Sequence, residues 1–132
     1  MKYLCLVYHV EACIDALPDN EYNSIIDEVL DFRDELRASG HFIAASPLQS
    51  VQTATTIRVR NGRLTITDGP FAETREQLGG FYLIEATDLN DAIRVASKMP
   101  PARIGSIEVR PLKEIAPARE QAIHPREEKH HG

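Results

Sequence analysis

Asp68 is the residue of this chain best placed to do chemistry. It ends a run of alternating apolar and polar residues and begins the turn Asp68-Gly69-Pro70-Phe71. A carboxylate at that place has two uses. It can accept backbone N–H groups of its own turn. It can also point into a partly desolvated pocket and serve as a general base. His9, at the end of the first apolar run, is the second group able to move a proton, although a histidine there also suits polar surface. Glu73 and Arg75 follow the turn; they either rim a pocket and orient a polar substrate or stay solvated. Tyr8 and Tyr82 can lend hydroxyls to a substrate or simply fill the core. Arg58 completes the substrate-binding candidates.

Other residue types point to less. His124, His130 and His131 lack the spacing of a zinc signature, so neither a metal site nor a cofactor is expected. Gly79-Gly80 lacks the strand, turn and helix context of a phosphate loop. The pair suits a bulge or a close backbone approach at the entry of a strand. Cys5 lies in an apolar run and reads as a buried, unreactive thiol. Neither a Ser-His-Asp nor a Cys-His set can be read from the residue order. His41 follows Gly40 and is placed to interact with the end of a helix.

Composition narrows the class. The 132 residues carry 15 Lys and Arg against 20 Asp and Glu, a net charge of −5, which disfavours a direct nucleic-acid binder. Apolar residues form 42% of the chain, enough for the core of one domain. Two cysteines make no disulfide framework. No run approaches the roughly 18 apolar residues that span a bilayer, and the opening Met1-Lys2-Tyr3 lacks the pattern of a secretion signal. A cytoplasmic protein without a membrane partner is expected.

The elements that must position these groups follow from periodicity. Residues 3–8 read as a strand buried on both faces. Residues 11–18 read as a loop. Asp19 or Asn20 can cap a helix running to about Ala38, with Tyr22, Ile25, Ile26, Val29, Phe32 and Leu36 on one face and Gly40 at its end. A second strand covers residues 41–45. Residues 55–60 and 63–67 flank Asn61-Gly62, the strongest short-range signal for a hairpin. Residues 80–86 form the next strand. Asp88 caps a short helix that Met99-Pro100-Pro101 stops, and residues 104–111 form the last strand. The domain therefore spans residues 1–115; residues 116–132, with no apolar face, read as a flexible or partner-strapping tail.

With the hairpin set aside, the order is βαββαβ, a ferredoxin-like α+β arrangement with both helices on one side of an antiparallel sheet. The first strand and the strand at residues 80–86 are apolar on both faces. The uncovered side would expose too large a patch for a monomer. A homodimer joined through that side is expected, with a small-molecule pocket near the seam.

The segments Met1–Leu4, Leu36–Gly40, Ala54–Arg60, Asp68–Tyr82 and Ile107–Pro111 carry a resemblance. The chain resembles the YCII-related superfamily, in the branch that carries the DGPF motif. The resemblance covers residues 1 to about 113 and implies a dimeric α/β barrel. Members of the wider superfamily have been proposed to be enzymes, on a His and Asp pair in a cleft. Here the first long helix holds no histidine, and Asp68 is the matching acidic residue. Some proteins of the branch are encoded beside extracytoplasmic-function sigma factors, which implies a regulatory role with a sigma factor as the alternative to catalysis.

Overall fold

The computed structural model describes residues 1–117. The chain order is β1 (Lys2–His9), α1 (Glu11–Asp15), α2 (Asp19–Ala38), β2 (Phe42–Pro47), β3 (Thr55–Arg60), β4 (Arg63–Asp68), β5 (Gln77–Glu85), α3 (Leu89–Ala96) and β6 (Ser106–Pro111). Single 3-10 turns lie at Val51–Thr53 and Pro100–Arg103. Four strands form one sheet in the order β2-β5-β1-β6, every neighbouring pair antiparallel. That order is compatible with a ferredoxin-like fold. The expectations for the tail beyond residue 117 lie outside the described residues.

β3 and β4 form a separate two-stranded sheet. Asn61 (φ 54°) and Gly62 (φ 75°) supply the two left-handed residues of its tight turn. Ile57 lies opposite Ile66 and Val59 opposite Leu64, so all four share one face. Each is about 60% exposed.

The core lies on one side of the four-stranded sheet. Tyr3, Cys5 and Val7 of β1 and Tyr82 and Ile84 of β5 are buried there beneath Phe32 and Leu36 of α2 and Ala92, Val95 and Ala96 of α3. Ile107 and Val109 of β6 pack against the same cluster. Alternation sends Leu4, Leu6, Phe81 and Leu83 to the opposite side, where they stay half-exposed and outside the core cluster.

Two local readings need correction. Residues 11–15 are a short helix rather than a loop. Glu11 explains it: its backbone N–H donates to Gln77 Oε1, while its carboxylate accepts Ser50 Oγ and the Val51 N–H, each at 2.9 Å. These bonds to distant residues are invisible to local periodicity. The start of α2 also differs. Pro18 takes the capping position with no side-chain bond, and Asp19 already lies inside the helix. Its carboxylate and that of Glu21 face the positive helix end instead. At the other end Gly40 (φ 81°) takes the left-handed conformation, and the His41 N–H donates to the Leu36 carbonyl.

α3 begins as its sequence suggests: Asp88 accepts the Asp91 N–H at 2.8 Å. Asp91 then reaches back to the Thr87 N–H at 3.0 Å and to His41 Nε2 at 3.2 Å, and it also holds Arg94. His41 Nδ1 lies 2.7 Å from Ser39 Oγ. A Ser39–His41–Asp91 chain thus ties the end of α2 to the start of α3. It is not a catalytic triad, because the Ser39 hydroxyl donates to the Leu36 carbonyl and leaves only its oxygen for the imidazole.

Two predictions follow from the core and this tie. Ile84→Ala, at a fully buried site, will cost about 2–5 kcal/mol of unfolding free energy in urea titration. The Thr87 N–H first, then His41 and Arg94, hold the Asp91 carboxyl down at about 2, against an ordinary 3.8. The folded chain therefore binds that proton less readily than the unfolded one. The stabilisation is complete above about pH 4 and fades as the pH falls towards 2. Asp91→Asn will lower the melting temperature at pH 7 and flatten the loss of stability between pH values of about 4 and 2.

Candidate functional site

The N-terminal half of α2 does not close onto the sheet. Only its C-terminal residues Phe32 and Leu36 are buried. Ile25 and Val29 are half-buried, and Tyr22, Ile26 and Leu30 stay 43%, 37% and 50% exposed. Between this half-helix and the sheet lies a cavity of about 640 Å³. That volume falls within the roughly 300–1,000 Å³ of small-molecule sites. Its helical wall is Tyr22, Ile25, Ile26, Val29 and Leu30; its floor is Val7, Ala45, Gly80 and Tyr82; α1 closes one end with Ile14.

Several polar groups line this space beside the aliphatic ones. His9 is one. β1 and β5 keep register to Val7–Gly80 and then slip, so that Tyr8 pairs with Leu78. Gly79 is left over as a bulge beside His9. A Cβ on Gly79 would lie 2.1 Å from His9 Cε1, so the glycine makes the space that the imidazole fills. Gly80 serves β2 in the same way: a Cβ there would lie 2.9 Å from the Ser46 carbonyl oxygen.

Tyr82 packs edge-to-face on Phe32 with ring centres 5.9 Å apart. Burial raises its hydroxyl above the usual tyrosine value, and the positive charge of Arg33 opposes that rise. The phenol is thus a protonated donor at neutral pH. Arg33 comes from α2 and also lines the cavity; its Nε is buried with no hydrogen-bond partner among the described residues. Glu11 lines the space too, but Ser50 and Val51 occupy its carboxylate.

The candidates named from sequence therefore separate. His9 and Tyr82 meet at the cavity. Tyr8 faces the other side of the sheet and donates to Glu108 Oε1 at 3.3 Å. Asp68 is exposed at the end of β4 and does not line the cavity. Its turn is held by other groups: the Gly69 N–H donates to the Ala54 carbonyl at 2.7 Å, and Thr56 Oγ1 to the Gly69 carbonyl at 2.8 Å. Arg58, Glu73 and Arg75 are likewise exposed and away from the cavity. Cys5 is fully buried, and burial lifts its thiol to about 11, which leaves it unreactive.

Arg33 was missed because one arginine amid a charged helix resembles any solvated side chain. Its position one residue after Phe32 and four after Val29 is the signal that it borders the apolar stripe. Among the described residues no group of three or more His, Cys, Asp or Glu side chains could hold a metal ion. No helix among them is long and apolar enough to cross a membrane.

Comparison with known proteins bears on the whole of this unit. The chain is similar to Uncharacterized protein R00369 of Rhizobium meliloti (strain 1021), with 34% identity over 114 residues that cover 85% of this chain and 92% of the relative. Residues 1–116 match the YCII-related domain, and the match takes in every strand and helix described above. The chain belongs to the YCII-related family.

Proposed function

We propose that this chain is an enzyme of small molecules: it encloses an apolar substrate between α2 and the sheet and uses His9 to move a proton. One observation carries the reading. A cavity of about 640 Å³ with largely aliphatic walls has an imidazole at its edge, seated by a bulge that only a glycine permits. A surface histidine needs no such accommodation. Tyr82 supplies a fixed hydroxyl on the same floor. The run Asp68-Gly69-Pro70-Phe71 supports membership of the DGPF branch within the family.

Homodimerisation belongs to the same proposal. Leu4, Leu6, Phe81 and Leu83 form a half-exposed apolar patch on the open side of the sheet, and covering such a patch with a second copy removes it from water. Asp68 lies away from the cavity, so the acid–base role in this proposal rests on His9 and not on Asp68.

A thermal-shift screen with small aliphatic and aromatic metabolites, followed by mass spectrometry of the bound compounds, tests the cavity. At least one compound should raise the melting temperature, and Val29→Trp, which fills the space, should abolish the shift. No shift, or an equal shift in Val29→Trp, would refute the site. For any compound turned over, His9→Gln should retain binding and lower kcat by about 10²–10⁴. Gly79→Ala should mimic it, since the imidazole must leave its seat while the fold persists. For the assembly, sedimentation at micromolar concentration should give a dimer, and the double variant Leu6→Asp, Leu83→Asp a monomer; a monomeric parent protein would end that part of the proposal.

A further inference from the structure

Arg33 points to the chemical class of the occupant. Arg33 lines the cavity, and its Nε, out of reach of water, has no hydrogen-bond partner among the described residues. Among the described residues no carboxylate pairs with its guanidinium. An anion in the cavity can take charge-assisted bonds from the rest of this guanidinium, which has no carboxylate of the chain to compete for it. Arginine is also the side chain whose planar fork matches a carboxylate.

The remaining charges do not cancel this preference. Glu11 also lines the cavity, and its two oxygens already accept Ser50 Oγ and the Val51 N–H. Asp15 and Asp19 line the mouth but are exposed to water. A rise of about 1.5 Å per residue sets Asp19 roughly 20 Å from Arg33 along α2. At that range water screens it from a ligand at the arginine. The cavity therefore carries a partly buried cation and aliphatic walls, with exposed acids among its lining residues.

Taking the cavity as a ligand site, we infer that its ligand is an aliphatic carboxylate whose head group is bound by Arg33 and whose body lies along Val29, Ile26 and Tyr22. The Tyr82 hydroxyl, on the same floor, is available as a second donor to the head group.

Isothermal titration with octanoate and its neutral counterpart octanamide tests this on the full chain. Octanoate should bind about tenfold tighter or better, as expected for hydrogen bonds to a charged group. Arg33→Met should erase the preference while leaving octanamide affinity within about twofold, because only the charged bonds are lost. Arg33→Lys, which keeps the charge but not the fork, should retain part of the preference. Equal binding of the two compounds by the parent protein, or an undiminished preference in Arg33→Met, would overturn the inference and leave the ligand cavity standing. Absence of binding by both compounds, together with a failed metabolite screen, would instead remove the cavity reading and this inference with it.

Discussion

Two adjacent glycines set the geometry on which the rest depends. At Gly80 the backbone of β2 comes so close to β5 that a Cβ would lie 2.9 Å from a carbonyl oxygen. At Gly79 the ladder slips by one residue and the His9 ring takes the room a side chain would need. Three strands thus converge at one end of the sheet. The bulge lies in β5, while β1 stays paired through His9 opposite Gln77. Alternation places His9 on the face of Cys5 and Val7, and the missing side chain at Gly79 leaves room for its ring beside the cavity.

The second constraint is the incomplete docking of α2. A helix with apolar residues at every turn ordinarily buries them all. Here only Phe32 and Leu36 reach the core, beside Tyr82 and the strands of the sheet. Fully burying a side chain such as Ile26 or Leu30 contributes about 1.5–3 kcal/mol, and the chain forgoes much of that to keep the space open. The tie between Ser39, His41 and Asp91 fastens the same end of the helix that the core fastens. The other end meets α1, whose position depends on Glu11 and its bonds to the 50–51 backbone and side chain. Order at one end and room at the other are properties of one helix.

Much of the fold was legible because it rests on local chemistry. Asn61-Gly62, the Asp88 cap, Gly40 and the alternation in β1 and β5 each act over a few residues, so periodicity and turn preference find them. The glycine pair marks a bulge by its lack of side chains, without reference to its partner strand. What escaped the sequence depends on distant partners. Nothing near Glu11 shows that Gln77 and Ser50 will hold it in a helix. Nothing in the order of Ser39, His41 and Asp91 shows that they meet. The candidate site was half legible: His9 and Tyr82 both line the cavity, while Asp68, Arg58, Glu73 and Arg75 stay on exposed segments. Arg33 drew no attention because burial of one nitrogen atom is a tertiary property.

α2 is fastened over its C-terminal half, by Phe32 and Leu36 in the core and by Arg103 on Glu28, and its other half is a lever. Six residues separate Glu28 from Tyr22, a span of roughly 9 Å at the helical rise. A rocking of about 10° about the Glu28 contact would carry Tyr22 through roughly 1.5 Å. The internal space could then swell or shrink to match guests of different girth while the strands beneath keep their pairing. Breadth of guest, rather than tight shape selection, is the behaviour such a hinged wall confers.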